Sequence, residues 1–318
     1  MNRIATTLLI ATLLLLLGSA CRKEKIELTW AQVETTNASD LTTLHFLNGQ
    51  QGYAMGGETW SKAVALETQD GGQTWQAQTI GDKQIYDLTF DPQGTGYAVG
   101  NDGLLYVKAP DERDWEVVRL ARWDSHQGVA VSGSEALIVS GIAYSGGIIQ
   151  RIFPNYSSVV LDTFENELSA IEYSDSTTVH VVGYGLILRS TNGGDDWTAS
   201  SAQGDFFRDV HFPTSQIGYV VGYAGSILKT TDAGLSWEWL RRGDALLVKN
   251  EFFRAVHFAD TERGYIVGDQ GLFWRTLDGG ENWQVDQNFP EVDFFDVAAL
   301  PTGGCLVGAD GTIIVFED

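Results

Sequence analysis

Residues 206–237 read FFRDVHFPTSQIGYVVGYAGSILKTTDAGLSW, and residues 252–283 repeat the pattern as FFRAVHFADTERGYIVGDQGLFWRTLDGGENW. Each copy contains short runs of β-branched and aromatic residues separated by Gly-rich turns, which is typical of short antiparallel strands. Across the chain the repeat length is about 40 to 46 residues, the length of a propeller blade with four strands. The stretch therefore predicts an all-β fold built from repeated four-stranded blades.

An eight-residue motif, [Ser/Thr]-x-[Asp/Asn]-x-Gly-x-x-Trp, occurs four times in phase with the repeat and matches the Asp-box, or BNR, motif. Its third and last positions are Asp70 and Trp75, Asn192 and Trp197, Asp232 and Trp237, and Asp278 and Trp283. The Asp or Asn side chain can accept hydrogen bonds from turn amides, and the Gly can adopt a positive φ. The copies lie in separate blades, so we assign them structural roles rather than catalysis or calcium binding.

Degenerate copies of the repeat fill the rest of the chain, with first strands near residues 41, 84, 126, 167, 206, 252 and 293. The last repeat ends after its third strand, residues 312–316, whereas residues 28–34 (LTWAQVE) have the register of a fourth strand. We therefore predict one domain over residues 26–318, a seven-bladed β-propeller of four-stranded antiparallel blades. The N-terminal strand is expected to pair into the C-terminal blade and close the ring, which removes exposed sheet edges.

Residues 1–20 have the features of a signal peptide, with Arg3 before an apolar run over residues 4–17. Small residues precede Cys21, as in the lipobox of bacterial lipoproteins. We expect a lipidated Cys21, a short tether over residues 21–25 and export to the bacterial cell envelope, at the outer membrane or the periplasmic face. The alternative is ordinary cleavage that leaves Cys21 as a free thiol. Since the closing strand begins on the face that carries the Asp-boxes, we predict that this face lies nearest the membrane.

The charge balance limits the classes of partner. The 318 residues include 20 Lys and Arg against 42 Asp and Glu, a net charge of −22. Nucleic acids bind through clustered basic residues that displace counterions, so a nucleic-acid partner is excluded. The two cysteines, Cys21 and Cys305, cannot form a disulfide framework. The apolar neighbours of Cys305 predict a small buried side chain.

No catalytic pattern stands out in the sequence. There is no His-Glu-x-x-His metal motif, phosphate-binding loop or nucleophile elbow, so we predict no catalytic residue, no metal and no cofactor. His45, His211 and His257 occupy the same position in three first strands and are interpreted as packing residues. The remaining enzyme hypothesis is a carbohydrate-active or glycan-binding propeller of the envelope, which would require two carboxylates about 5 to 10 Å apart.

Arginines instead indicate a binding site. Arg208 and Arg254 enter the innermost strands of adjacent blades, and Arg241 and Arg242 begin the connection between them. In a propeller these connections share one face with the turns that carry Trp60 and Tyr223. Guanidinium groups recognise carboxylates in fixed geometry, so the six residues predict a groove for an acidic segment or C-terminus of a protein partner. The alternative is that the arginines pair with acidic neighbours within the chain, such as Asp205, Asp209, Asp244 and Glu251.

The Asp-box repeats, the N-terminal Trp strand and the C-terminal stretches 294–297 (FFDV) and 308–312 (GADGT) resemble the photosystem II stability and assembly factor family of seven-bladed propellers. The resemblance covers nearly the whole chain after residue 20. It implies a non-enzymatic scaffold that holds a partner protein on one propeller face. Together these features favour a monomeric, membrane-anchored binding scaffold, with the envelope glycan protein as the alternative.

Overall fold

The computed structural model describes residues 23–142, 146–200, 202–243, 245 and 249–318. The predicted signal peptide and Cys21 lie outside the described residues, as does Asp244. The described residues form seven sheets arranged as the blades of a propeller, which confirms the predicted fold class.

Two strands precede the first complete blade: β1 (Lys23–Ile26) and β2 (Thr29–Gln32). Blade 1 consists of β3 (Asp40–Phe46), β4 (Gly52–Glu58), β5 (Lys62–Thr68) and β6 (Gln76–Gly81), and blade 2 of β7 (Ile85–Phe90), β8 (Gly96–Gly100), β9 (Leu104–Lys108) and β10 (Glu116–Arg119). Blade 3 consists of β11 (His126–Ser132), β12 (Glu135–Ile142), β13 (Gly146–Ile152) and β14 (Ser158–Phe164), and blade 4 of β15 (Leu168–Tyr173), β16 (Val179–Gly183), β17 (Leu186–Ser190) and β18 (Thr198–Ala199).

Blade 5 contains β19 (Phe207–His211), β20 (Gly218–Gly222), β21 (Ile227–Thr230) and β22 (Glu238–Arg241). Blade 6 contains β23 (Phe253–Phe258), β24 (Gly264–Gly268), β25 (Leu272–Thr276) and β26 (Trp283–Asp286). Blade 7 contains β27 (Phe294–Leu300), β28 (Gly303–Gly308) and β29 (Ile313–Glu317). Short 3-10 helices cover Asn101–Gly103, Asp269–Gly271 and Ala309–Gly311. In the described part of the chain, no helix has the length and apolar character needed to cross a membrane.

The N-terminal segment closes the ring. Strand β2 pairs antiparallel with β29, with Trp30 opposite Phe316, and so supplies the fourth strand of blade 7. This is the predicted closure. Strand β1 pairs parallel with β26, with Lys23 opposite Trp283, and gives blade 6 a fifth strand. From the sequence, residues 21–25 were predicted to be only a tether. Residues 23–25 instead belong to a strand that pairs with β26 through backbone hydrogen bonds. Such pairing does not require a hydrophobic pattern in the added strand.

The Asp-box turns are held by their own side chains. In blade 6 the Thr276 hydroxyl accepts a hydrogen bond from the Gly280 amide at 2.9 Å and donates to Asp278 at 2.9 Å. Asp278 also accepts from the Asn282 amide at 2.9 Å. Equivalent bonds hold the turns that begin at Thr68, Ser190 and Thr230. These contacts engage the Asp and Asn side chains in turn formation, the structural role inferred from the motif.

The Trp of each box packs at a blade interface. Trp283 is fully buried, makes an edge-on contact with Phe258 at 6.2 Å and belongs to the apolar cluster that includes Tyr219 of blade 5. Cys305 is fully buried in the cluster between blades 7 and 1, and burial raises the pKa of its thiol. Such large aromatic contacts between neighbouring blades form the core of the ring.

Candidate functional site on the loop face

The first strands of the blades surround a central cavity of about 530 Å³. One face of the ring carries the Asp-box turns. The opposite face, which we call the loop face, carries the connections between second and third strands and those between successive blades. The side chains of Arg208 and Arg254 line the cavity, and both residues lie near the start of a first strand, on the loop face.

Three carboxylates lower in the cavity join neighbouring blades. Asp87, Asp209 and Asp296 each accept hydrogen bonds from the next residue's amide and from an amide of the following blade. Burial raises the pKa of Asp87 to about 6 and of Asp209 to about 7. Since both oxygens of each carboxylate are occupied by backbone donors, these groups serve the ring rather than a substrate. Of the three, only Asp209 was named from the sequence, and then as a possible partner of the arginines, although an Asp followed by an apolar residue recurs in three first strands.

The histidines of the cavity pack against one another. His211 and His257 stack with ring centroids 4.2 Å apart, and His211 contacts the Glu172 carboxylate at 3.3 Å. Burial lowers the pKa of His257. For His211 burial acts in the same direction, but the Glu172 carboxylate outweighs it and raises the pKa. Among the described residues no group of three His, Cys, Asp or Glu side chains could hold a metal ion.

Arg208 is half-buried, and its Nε is buried without a hydrogen-bond partner among the described residues. Its guanidinium lies over the Phe206 ring at 4.9 Å. Burial, together with the neighbouring Arg254, lowers the pKa of Arg208. A buried donor without an acceptor is costly. An anion bound at this position would supply the missing acceptor.

Arg254 lies close to Arg208 and is only partly engaged. Its Nε is 2.5 Å from the Asp269 carboxylate, and its guanidinium lies 5.3 Å from the ring of Phe295 and 5.9 Å from that of Tyr223. Asp269 therefore supplies one of the pairings that the alternative interpretation expects, from a residue that the sequence analysis did not name.

Arg241 does not join this site. It is 8% exposed, forms an ion pair with Glu251 at 2.9 Å and donates to the carbonyl oxygens of Gly225 and Lys249. Arg241 is therefore engaged within the chain, as the alternative interpretation expects, and these contacts would have to break before it reached a ligand. Arg242 is exposed and lies over the Trp239 ring at 4.6 Å.

An aromatic pocket of about 430 Å³ lies on the loop face over blades 4 to 6. Tyr223 stacks on Phe252 at 4.7 Å, and Tyr184 meets Phe206 edge-on at 5.7 Å. The pocket shares Phe206 and Tyr223 with the surroundings of the two arginines. Of the aromatic residues of this pocket only Tyr223 was predicted as a binding residue, because Phe206 and Phe252 belong to the repeated first-strand pattern.

Trp60 was also predicted to contribute. It is 68% exposed in the turn between β4 and β5 of blade 1. That turn lies on the loop face but in another sector of the ring, and Trp60 does not line the aromatic pocket. The structure thus brings together Arg208, Arg254 and Tyr223 and leaves Trp60 apart from them.

Comparisons with known proteins agree with this fold. Residues 203–291, which contain blades 5 and 6, match the family model described as photosynthesis system II assembly factor YCF48. Two solved structures, YCF48 bound to D1 peptide and YCF48 from Cyanidioschyzon merolae, are each 17% identical, with TM-scores of 0.73 and 0.70. They cover 93% and 91% of this chain, and 100% and 98% of theirs.

The same architecture also occurs in an enzyme. An inactive variant of virginiamycin B lyase from Staphylococcus aureus with quinupristin is 11% identical, with a TM-score of 0.73, over 92% of this chain and all of that one. At such identities a likeness shows the fold alone. No curated protein matches the chain. The chain is thus a seven-bladed β-propeller similar to the photosystem II assembly factor YCF48, and the sequence match covers blades 5 and 6, which carry Arg208 and Arg254.

Proposed function

We propose that this protein is a non-enzymatic, membrane-anchored scaffold that binds a carboxylate-bearing segment of a partner protein, acidic or C-terminal, on the loop face. The observation that carries the proposal is the buried Arg208 Nε, which has no hydrogen-bond partner among the described residues and lies beside the charge of Arg254. Two neighbouring guanidinium groups repel each other, and a carboxylate between them would relieve that repulsion. The aromatic pocket next to them would hold an apolar side chain of the same segment.

The similarity to YCF48 supports a protein partner, since one solved YCF48 is bound to a peptide, D1. The family-model match spans the blades that supply Arg208, Arg254, Tyr223 and Phe252. The client of this chain is a separate matter from that of YCF48, and we define it only by its chemistry: a carboxylate, on a side chain or at the C-terminus, with an apolar side chain a few residues away.

Export through residues 1–20 and lipid attachment at Cys21 complete the proposal. They are supported by the leader-like sequence, and a monomer is expected because blades 1 to 7 close the ring within one chain. Mass spectrometry of the protein isolated from its membrane tests the anchor: a diacylglyceryl group on an N-terminal Cys21 is expected. An unmodified thiol at Cys21 would remove the anchor and leave the binding site untouched.

The binding site can be tested with synthetic octapeptides of mixed sequence, presented with a free C-terminal carboxylate or as the amide. We expect the free acids to bind better, and Arg208→Gln with Arg254→Gln to abolish the difference. Arg119→Gln is the control, since Arg119 is an exposed arginine of blade 2 paired with Asp102 at 3.0 Å. Equal binding by wild type and the double variant would reject the arginine site. Turnover of a glycoside by the purified protein would reject the non-enzymatic assignment.

A further inference from the structure

Exposed leucines distinguish the Asp-box turns of blades 5 and 6. Leu235 is 71% exposed and Leu277 is 50% exposed. Single exposed apolar side chains are common on protein surfaces, so the positions of these two leucines matter more than their exposure. Leu235 is the sixth residue of its motif, and Leu277 is the second residue of its motif. Side chains at these two positions take no part in the hydrogen bonds that hold the turn.

The repeat itself provides the comparison. The second and sixth motif positions are exposed in all four boxes, and they are Gln69 and Gln73 in blade 1, Thr191 and Asp195 in blade 4, Thr231 and Leu235 in blade 5, and Leu277 and Glu281 in blade 6. Apolar residues thus occur at these positions only on two adjacent blades. Turn formation does not require them, because blades 1 and 4 make the same turns with polar residues.

The same sector is where the N-terminal segment leaves the propeller. Strand β1 runs parallel to β26, and Lys23 lies opposite Trp283, the last residue of the blade 6 Asp-box. Lys23, the first described residue, therefore lies on the Asp-box face beside this turn. Cys21 is two residues upstream, a distance of at most about 7 Å for extended chain.

We propose that Leu235 and Leu277 insert into the lipid headgroup region and hold the propeller with its Asp-box face against the membrane. The proposal rests on the lipid anchor at Cys21 included in the proposed function, because the short reach from Cys21 keeps blade 6 at the lipid surface. The loop face, with Arg208 and Arg254, then points away from the membrane and remains open to a partner. One acyl chain gives only marginal, reversible membrane binding, so two leucines would add measurably to it.

The test uses the chain from Cys21 onward, coupled through its thiol to a single myristoyl-maleimide. The other cysteine, Cys305, is fully buried and spared by the reagent. Partition into phosphatidylcholine vesicles is compared for three proteins: wild type, Leu235→Glu with Leu277→Glu, and the control Gln73→Glu with Thr191→Glu. The two double variants add the same charge at exposed positions of the same motif. We expect at least a tenfold loss of partition for the leucine variant and less than a twofold change for the control.

Hydrogen exchange on vesicles provides a second measurement that does not depend on substitution. Amides of the Asp-box turns at residues 231–236 and 277–282 should exchange more slowly on vesicles than in solution, while those at 69–74 and 191–196 should be unchanged. Equal protection of the four turns, or equal partition of the two double variants, would overturn the proposal. So would a dimer of the uncoupled wild type that the leucine variant loses in sedimentation, since it would assign the leucines to a second copy of the chain.

Attaching the acyl chain chemically separates this proposal from its premise. If Cys21 carries no lipid in the cell, the vesicle experiment still reports which face meets the membrane. Peptide binding by the uncoupled protein reports on the loop face alone. If the arginine variants bound peptides as well as wild type does, the vesicle result for the leucine variant would still hold. If the leucine variant partitioned as its control does, the peptide-binding result would still hold.

Discussion

The Asp209 carboxylate of blade 5 accepts a hydrogen bond from the Val256 amide of blade 6 at 2.8 Å, across the boundary between two blades. Its other oxygen accepts from the Val210 amide at 2.8 Å. Asp87 and Asp296 make the same pair of contacts between blades 2 and 3 and between blades 7 and 1. At the centre of the ring, carboxylates of the first strands thus connect three pairs of neighbouring blades through hydrogen bonds, in addition to the apolar contacts between blades.

We expect Asp209→Ala to lower the free energy of unfolding by about 2 kcal/mol at pH 6, because two buried amides lose their acceptor. Urea denaturation followed by fluorescence measures the change. Asp162→Ala is the control, since Asp162 is exposed on the outer strand of blade 3 and accepts only from its own neighbour, Thr163. Equal midpoints for both variants would show that the inter-blade bond contributes nothing.

Buried histidines should make the fold sensitive to acid. His126 is fully buried, its Nδ1 lies 2.7 Å from the Ser140 hydroxyl, and its Nε2 has no hydrogen-bond partner within the described part of the chain. Burial lowers the pKa of His126 to about 4. A lowered pKa means that the folded state resists protonation, so its contribution is present above pH 6.5 and is lost as the pH falls towards 4.

Between pH 6.5 and 4 we therefore expect the contribution of His126 to the free energy of unfolding to fall by at most about 3 kcal/mol, while the raised pKa values of Asp87 and Asp209 act in the opposite sense. His126→Gln should flatten this part of the pH profile, as measured by urea titrations at half-unit intervals. A variant with the unchanged wild-type slope would contradict the assignment.

His211 should behave in the opposite sense. Its raised pKa, which results from the Glu172 carboxylate despite burial, contributes stability that is full below pH 6.5 and lost as the pH rises through the folded-state pKa. His211→Gln should therefore destabilise the protein more at pH 5.5 than at pH 8.5. The same denaturation series measures it, and a larger loss at pH 8.5 would reverse the sign of this argument.

The regular parts of the ring could be predicted from the sequence, since each blade repeats the same strand and turn residues. Strand β1 could not, because KEKI has no alternation of apolar and polar residues and pairs through its backbone with β26. The arginines show a second limit. Arg208 and Arg241 both have acidic neighbours in the sequence, but only the fold shows that Arg241 pairs with Glu251 at 2.9 Å, whereas the Arg208 Nε has no hydrogen-bond partner among the described residues.

The C-terminal residue joins blades 6 and 7. The Asp318 side chain forms ion pairs with Arg263 at 2.8 Å and Arg275 at 3.0 Å and accepts a hydrogen bond from the Tyr265 hydroxyl at 2.5 Å. We expect Asp318→Asn to lower the free energy of unfolding by about 1 to 3 kcal/mol, because a partly buried charge pair loses one partner. Faster amide exchange in β29 should accompany the loss. Glu317→Gln, at the exposed neighbouring residue, is the control. An equal loss of stability in this variant would argue against a specific contribution from the ion pairs of Asp318.

Gly268 tests whether the loop-face site depends on close backbone packing. Its φ of −174° is extended backbone that any residue adopts, but a Cβ would lie 1.9 Å from the carbonyl oxygen of Phe252. Gly268→Ala must therefore displace Phe252 and, two residues later, Arg254. Gly133, in the turn between β11 and β12, offers the contrasting case, with a φ of +63° and no atom within 4 Å of an added Cβ; Gly133→Ala should cost only about 1 kcal/mol of backbone strain. We expect Gly268→Ala to weaken binding of free-acid peptides at least fivefold while the protein stays folded, and Gly133→Ala to leave it unchanged. Equal peptide affinities for the two variants would mean that peptide binding does not depend on the close backbone approach at Gly268.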